Sequence, residues 1–419
     1  MSTPRPTPPP VFAFTLIPFG TAVGYVSIAA PYWLAQQGVS LAQIGAISAT
    51  SMMPHAVKFL WAPLLDIGSR RKAWFILMAV LTAALTIGLA LVPAPAQHLA
   101  LWTLMATLLQ IAGTTSAIAS DGLMASTTRE GDRGKAGGWR MAGNVGGTGL
   151  LGALALWAGS RWGVPVAGVA LAVVTLGSIA AALTIEEAHP LVDEAIEKAG
   201  SAIRAMGLRL AAIGRDLWAT VSSRDGWTGL VICLMPVGAG ALTNLFSAMA
   251  HDYQASENVV AMVNGLGGGI SGALGSLVGG VVADRMNRRL AYALSGGITA
   301  LAGLAMMVAP MTPLTYAWGT LVYSFANGIA FATLAAFILE MVGHSVASAT
   351  KYTVFIAIAN VASDYVTALD GLASEFRGWG ARGSILADAI LTFVGIAVLL
   401  VMVRVNSRRD DRSAAAAML

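Results

Sequence analysis

Stretches of about 20 apolar residues recur along this chain between short polar breaks, and a segment of that length is the signature of a helix crossing a lipid bilayer. The pattern predicts spans near residues 12–35, 41–62, 73–93, 99–125, 137–158 and 164–185. After a polar interval at 186–224, it predicts six more near 226–250, 258–282, 290–309, 313–340, 350–371 and 383–404. About twelve helices in two sets of six define an all-α membrane protein, because backbone polar groups in hydrocarbon must be satisfied within the chain itself. Composition agrees: 56% of residues are apolar and 11% charged, with a mean hydropathy of +0.72, far from the soluble range.

The same reading divides the chain into a proline-rich tail (1–11), a six-helix half (12–185), a linker (186–224), a second six-helix half (225–404) and a tail (405–419). The opening MSTPRPTPPP is no basic signal region, and no small-residue cleavage site follows the first apolar segment, so that segment is expected to stay in place. Cys233, the one cysteine, excludes an internal disulfide framework and a cysteine-rich metal site.

Orientation follows from where the 25 Lys and Arg residues fall. Twenty-one lie on one side: Arg5; Arg70, Arg71 and Lys72; Arg129, Arg133, Lys135 and Arg140; Lys198, Arg204, Arg209, Arg215 and Arg224; Arg285, Arg288 and Arg289; Lys351; and Arg404, Arg408, Arg409 and Arg412. Arg161, Arg377 and Arg382 lie on the other, and Lys58 sits inside a span. Both termini and the middle loop are therefore expected in the cytoplasm. The bias also accounts for the isoelectric point near 9.3, with no nucleic-acid partner required.

Acid stands among these cations at matched places. Asp284 follows Asp66 by 218 residues (284 − 66), and the same offset from Asp121 lands one residue before Glu340. Two halves with acid at corresponding helix ends are the trace of an internal repeat. The loop GGVVADRMNRR (279–289), with Gly280, Asp284, Arg285, Arg288 and Arg289, resembles the Gly-x-x-x-Asp-Arg-x-x-Arg-Arg loop of the major facilitator superfamily; the first copy has Ala62 and Ile67 where that pattern has glycine and arginine. Within that superfamily, KFLWAPLLD (58–66), SDGLMASTTREGDRGKAGGWRMAGNVGG (120–147) and the stretch 348–380 resemble the peptide, acetyl-CoA and drug transporter group, which includes the AmpG-type muropeptide permeases. The resemblance implies a proton-linked permease of the bacterial inner membrane, with muropeptides as the first substrate class. Shorter members of the group import siderophores, which stays as the alternative.

Charge at a membrane face is cheap, whereas at the bilayer centre it costs at least ~2.5 kcal/mol. The charges at the basic face, Lys58, Asp66, Arg70, Arg71, Asp121, Arg140, Asp284, Arg285, Arg288 and Glu340, can therefore form salt-bridge clusters that hold helix ends in one state and part in another. Plain topology anchoring is the alternative, although orientation needs only cations and leaves the acids unexplained.

Polar residues deep within spans are candidates for solute contact: Tyr25, Gln110, Asn144, Asn244, Tyr323, Asn327 and Asn360. Gln110, Asn144, Asn327 and Asn360 fall near the midplane, where transporter sites lie. Each can equally serve as a hydrogen bond between helices. Asp364 and Asp388 lie roughly 8 to 12 Å inside the face opposite the cations, at ~1.5 Å per residue. An unpaired carboxylate there can bind and release a proton. For Asp388 the alternative is an ion pair with Arg382 or Arg377. His55, one turn before Lys58, is a further proton candidate.

Other chemistries are not supported. GGGISG (267–272) matches a dinucleotide fingerprint but lies within a span with no strand before it, so its glycines, like Gly275 and Gly279, are expected to let helices approach closely. No phosphate-binding Gly-Lys-Ser/Thr loop occurs, no cofactor motif is present, and the five histidines form no His-x-x-x-His pair for a metal. The linker has apolar residues at helical spacing beside Lys and Arg, which suits an amphipathic helix on the membrane surface. The expectation is a monomeric secondary transporter whose partners are the bilayer, a small solute and a proton. A membrane-embedded transferase or sensor, the alternative of another class, needs a reactive constellation that the sequence lacks.

Overall fold

The computed structural model describes residues 6–62, 65, 71–129, 132–187, 207, 211, 214–215, 218–219, 222–342 and 348–417. Asp66, Arg70 and most of the linker helix expected at 186–224 lie outside the described residues. The described residues are overwhelmingly helical and contain no strand. In order they form α1 (Val11–Gln36), α2 (Leu41–Val57), α3 (Arg71–Ala90), α4 (Leu99–Thr127), α5 (Arg133–Trp162) and α6 (Val164–Leu183). The second set is α7 (Arg224–Leu234), α8 (Glu257–Arg285), α9 (Arg288–Val308), α10 (Pro313–Val342), α11 (Ser348–Ala373) and α12 (Ala381–Ala417).

Among the described residues, nine of these are long and apolar enough to span by length and composition alone. The three others have physical reasons to miss that mark. α2 has only 17 residues, and Pro54 stands within it. α5 opens with Arg133, Lys135 and Arg140 and carries a run of glycines. α7 is cut short.

That interruption corrects the continuous span expected at 226–250. Pro236 has no N–H to offer a helix, while Gly238 and Gly240 adopt φ of +57° and +68°, a left-handed backbone that glycine enters without strain. The chain resumes as a 3₁₀ turn at Ala241–Asn244 and a short helical turn at Phe246–Met249. α2 also stops earlier than the expected residue 62, passing into a 3₁₀ turn at Lys58–Leu60. At the other end, α12 runs past the expected 404 to Ala417, through a charged stretch that ends in four alanines.

Local side chains cap α2 and α9. Ser40 and Gln43 form a reciprocal capping box at α2, and Asn287 accepts from the Arg289 and Leu290 amides at α9. Two caps come from distant segments. Glu187 accepts from the Arg71 and Lys72 amides at 2.8 and 3.2 Å, placing a carboxylate at the positive end of α3. Asp252 accepts from the Ala381 amide at 2.7 Å and does the same for α12.

Glycines set the closest helix approaches. A methyl group at Gly279 would sit 2.7 Å from the Ile329 carbonyl, so α8 and α10 pack backbone to backbone, as expected for the Gly275 and Gly279 pair. Gly45 of α2 and Gly371 of α11 meet in the same way: a methyl at Gly371 would lie 3.1 Å from the Gly45 Cα. Gly265 of α8 meets Gly149 of α5, where a methyl would fall 2.7 Å from the Gly149 carbonyl. These last two contacts join the first six helices to the last six. Further from the basic loops, Trp33 donates to Glu257 at 3.2 Å and Ser40 donates to Glu375 at 3.2 Å, so polar bonds also close the seam at the opposite face.

Candidate solute and proton site

The break after α7 removes a helical wall and leaves a cavity of about 210 Å³. Met235, Gly238 and Gly240 of the broken segment line one side, with Asn327 of α10 and Asn360 and Ser363 of α11 facing them. Asn244, from the 3₁₀ turn, also lines it and donates to Thr367 at 3.2 Å. Three of the seven expected solute residues, Asn244, Asn327 and Asn360, thus share one cavity, the last two from the middle of their helices. Backbone groups freed where a membrane helix breaks are tolerated where they line a cavity, and such breaks mark transporter sites. The signal was present in PVGAGALTN (236–244), an apolar stretch interrupted by proline and two glycines.

The remaining four sit elsewhere. Gln110 is fully buried and ties three helices together: its Oε1 meets His55 Nε2 at 3.2 Å, and its amide donates to the Ala22 carbonyl at 3.4 Å and Met52 Sδ at 3.3 Å. Tyr25 is buried in a π-helical turn of α1, edge-on to Trp33 at 5.7 Å. Asn144 is half-buried on α5. Tyr323 is fully buried, packs edge-on to Phe246, and donates from its hydroxyl to Asp388 at 3.1 Å. His55 connects the two groups, because its carbonyl accepts from Asn360 at 3.5 Å.

Asp364 and Asp388, the two acids expected to exchange protons, are both buried. Asp364 lies one turn from Asn360, next to the cavity-lining Ser363, and its Oδ2 has no partner among the described residues. Asp388 accepts from Tyr323, and the structure gives it no ion pair with either expected arginine. The Arg377 guanidinium instead lies 5.3 Å over the Phe376 ring, and Arg382 is exposed at the start of α12 near Tyr253. Geometry accounts for this, since both arginines stand at the helix end while Asp388 lies two turns inside. Asp370, which no local sequence pattern singles out, is completely buried and faces Asp388 electrostatically.

At the basic face, Arg140 of α5 binds Asp121 of α4 through both carboxylate oxygens, the second at 2.7 Å. Lys58 is within electrostatic reach of this pair. Arg71 donates to the Gly122 carbonyl at 2.9 Å, tying α3 to the end of α4. The second half has a counterpart, with Arg288 of α9 3.5 Å from Glu340 of α10. Asp284 and Arg285 are exposed. Each bond among these described charges joins neighbouring helices within one set of six.

The model of the Major Facilitator Superfamily matches residues 12–369. The chain belongs to that family. Solved structures that resemble it include a D-xylose–proton symporter, with 14% identity, coverage of 94% of this chain and 95% of the other, and a TM-score of 0.67. A bacterial homologue of the human lysosomal transporter Spinster, inward-facing and occupied, has 12% identity, coverage of 94% and 96%, and a TM-score of 0.69. The nucleoside transporter NupG has 14% identity, coverage of 94% and 98%, and a TM-score of 0.68. At such identities the likeness is one of fold. An uncharacterized protein of Haemophilus influenzae is 37% identical over 75 residues, 17% of each chain, so this chain aligns with only a small part of that relative. The facilitator fold makes this a multi-pass membrane protein.

Proposed function

We propose that this protein is a proton-coupled secondary transporter that imports a small solute by alternating access, with the solute held between the α7 break, α10 and α11. The observation that carries the reading is Asp364, a buried carboxylate with an unpartnered oxygen one helical turn from cavity-lining Asn360. A buried acid beside a solute cavity can hold a proton when the solute is bound and lose it to water when the site opens. Asn244, Asn327 and Asn360 are the solute contacts of this scheme. His55 and Gln110 form the link by which the state of α11 reaches α1, α2 and α4.

The basic loops face the cytoplasm by the positive-inside rule. The Asp121–Arg140 and Arg288–Glu340 pairs then brace helix ends at the cytoplasmic gate, while Gly45–Gly371 and Trp33–Glu257 close the outer seam. On this orientation the membrane is the bacterial inner membrane, with both termini inside. We place the chain nearest the AmpG-like permeases on the KFLWAPLLD stretch and the 120–147 and 348–380 segments. Muropeptide-type solutes are the first substrate class, and siderophores the second. A cavity of about 210 Å³ is below the ~300–1,000 Å³ of typical ligand sites, so either solute requires the seam to open further on binding. Uptake of labelled muropeptide and ferric siderophore by cells lacking their own importers, with and without a protonophore, tests both substrate and coupling. Equal accumulation after the proton gradient is collapsed would contradict the proposal.

A further inference from the structure

Between α10, α11 and α12, away from the cavity, the structure gathers oxygen atoms that nothing in the described residues satisfies. Both carboxylate oxygens of Asp370 lack a partner, as does Oδ1 of Asp388. Ser384, one turn before Asp388 on the same face of α12, is fully buried, and its hydroxyl is likewise unpartnered. Thr320, one turn before Tyr323 on α10, adds another buried hydroxyl without a partner. Tyr323 contributes its hydroxyl to Asp388 Oδ2. Relative exposure is 0% for Asp370 and 1% for Asp388, so bulk water does not solvate these groups.

Two carboxylates and two hydroxyls in an apolar bundle are costly unless something binds them, and an orphaned buried polar group calls for a specific cause. Arg377 and Arg382 do not supply it, since they stand at the end of the bundle with other neighbours. One shared proton satisfies two oxygens and leaves the others bare. A hard metal cation takes several oxygens at once. Ca²⁺ demands six to eight oxygen ligands, and Mg²⁺ gives up its waters reluctantly, so a dry site with few oxygens suits neither. We propose that Asp370, Asp388 and Ser384, with Tyr323 orienting Asp388, form a binding site for a monovalent alkali cation of the size of Na⁺. The site is separate from Asp364 and does not rest on the assignment of proton coupling. Its cation would fasten α11 and α12 to α10 beside the outer seam.

The test is thermal unfolding of the purified full-length protein in lipid nanodiscs, titrated with NaCl while choline chloride keeps ionic strength constant. A saturable rise in Tm with Na⁺ is expected, because a ligand that binds only the folded state stabilises it by mass action. Asp388→Asn and Ser384→Ala should each raise the half-maximal Na⁺ concentration by at least ~10-fold, in keeping with the loss of one group from a metal site. Asp364→Asn should retain the wild-type Na⁺ response. If Asp388→Asn proves unstable, Ser384→Ala alone decides the matter. The proposal fails if Na⁺ leaves wild-type Tm unchanged, if both variants keep the wild-type response, or if Ca²⁺ replaces Na⁺ at lower concentration. Stability that varies with pH and not with Na⁺ would also overturn it, in favour of a shared proton.

Discussion

Asn360 of α11 donates to the backbone carbonyl of His55 of α2 at 3.5 Å, a bond that crosses from one six-helix set to the other. On one side of it lies the cavity beside the α7 break; on the other, the His55 ring reaches Gln110 and through it α1. On the proposed scheme, occupation of the cavity would act on the seam where the two sets meet.

Solute affinity is expected to depend on the three cavity asparagines. Alanine at Asn244, Asn327 or Asn360 should raise the apparent KM by roughly 3- to 10-fold, the value of a hydrogen bond near 1 kcal/mol, while protein level in the membrane stays unchanged. Uptake kinetics normalised to surface protein measure this. Three variants with wild-type KM would move the solute elsewhere.

Gln110 should behave differently, because it is fully buried and serves three helices. Gln110→Ala leaves His55 without its ring partner and should destabilise the fold by ~1–3 kcal/mol, the penalty for orphaned buried polar groups. Thermal unfolding in nanodiscs reads it as a lowered Tm. A variant of wild-type stability with raised KM would instead make Gln110 a solute ligand.

Much of the helix layout is legible in the sequence. Apolar segment length predicts the spans, and the small residues at Gly275 and Gly279 predict a close helix approach, whose partner, α10, only the structure supplies. The α7 break was missed because hydropathy averages over a window, while the break depends on single backbone positions, Pro236, Gly238 and Gly240. Pairing was the other gap. Asp388 with Tyr323, and Asp252 with the start of α12, join residues 65 and 129 positions apart, and no local pattern reports such partners.

The outer seam depends on Gly45 and Gly371 staying small. In Gly371→Leu the new side chain starts 2.7 Å from the Leu41 carbonyl, a backbone atom that cannot yield as a flexible side chain would. The variant should insert normally, lose most uptake, and leave a cysteine introduced near Ser40 open to a membrane-impermeant thiol reagent from outside. Wild-type uptake would mean that α2 and α11 need not meet during transport.

The Asp121–Arg140 bond offers a test at the cytoplasmic face. Asp121→Asn keeps the shape and removes the charge, so insertion should be normal while uptake falls and a cysteine beside residue 121 becomes more accessible from inside. If uptake and accessibility both stay at wild-type values, the pair only anchors the loop.

The central claim is that Asp364 carries the coupling proton, and uptake measured against external pH in wild type and Asp364→Asn tests it most directly. The asparagine mimics a permanently protonated acid, so binding and rocking should survive while coupling does not. The account predicts pH-dependent uphill accumulation in the wild type, none in Asp364→Asn, and counterflow exchange of solute preserved in both. Wild-type accumulation in the variant, with unchanged pH dependence, would contradict it.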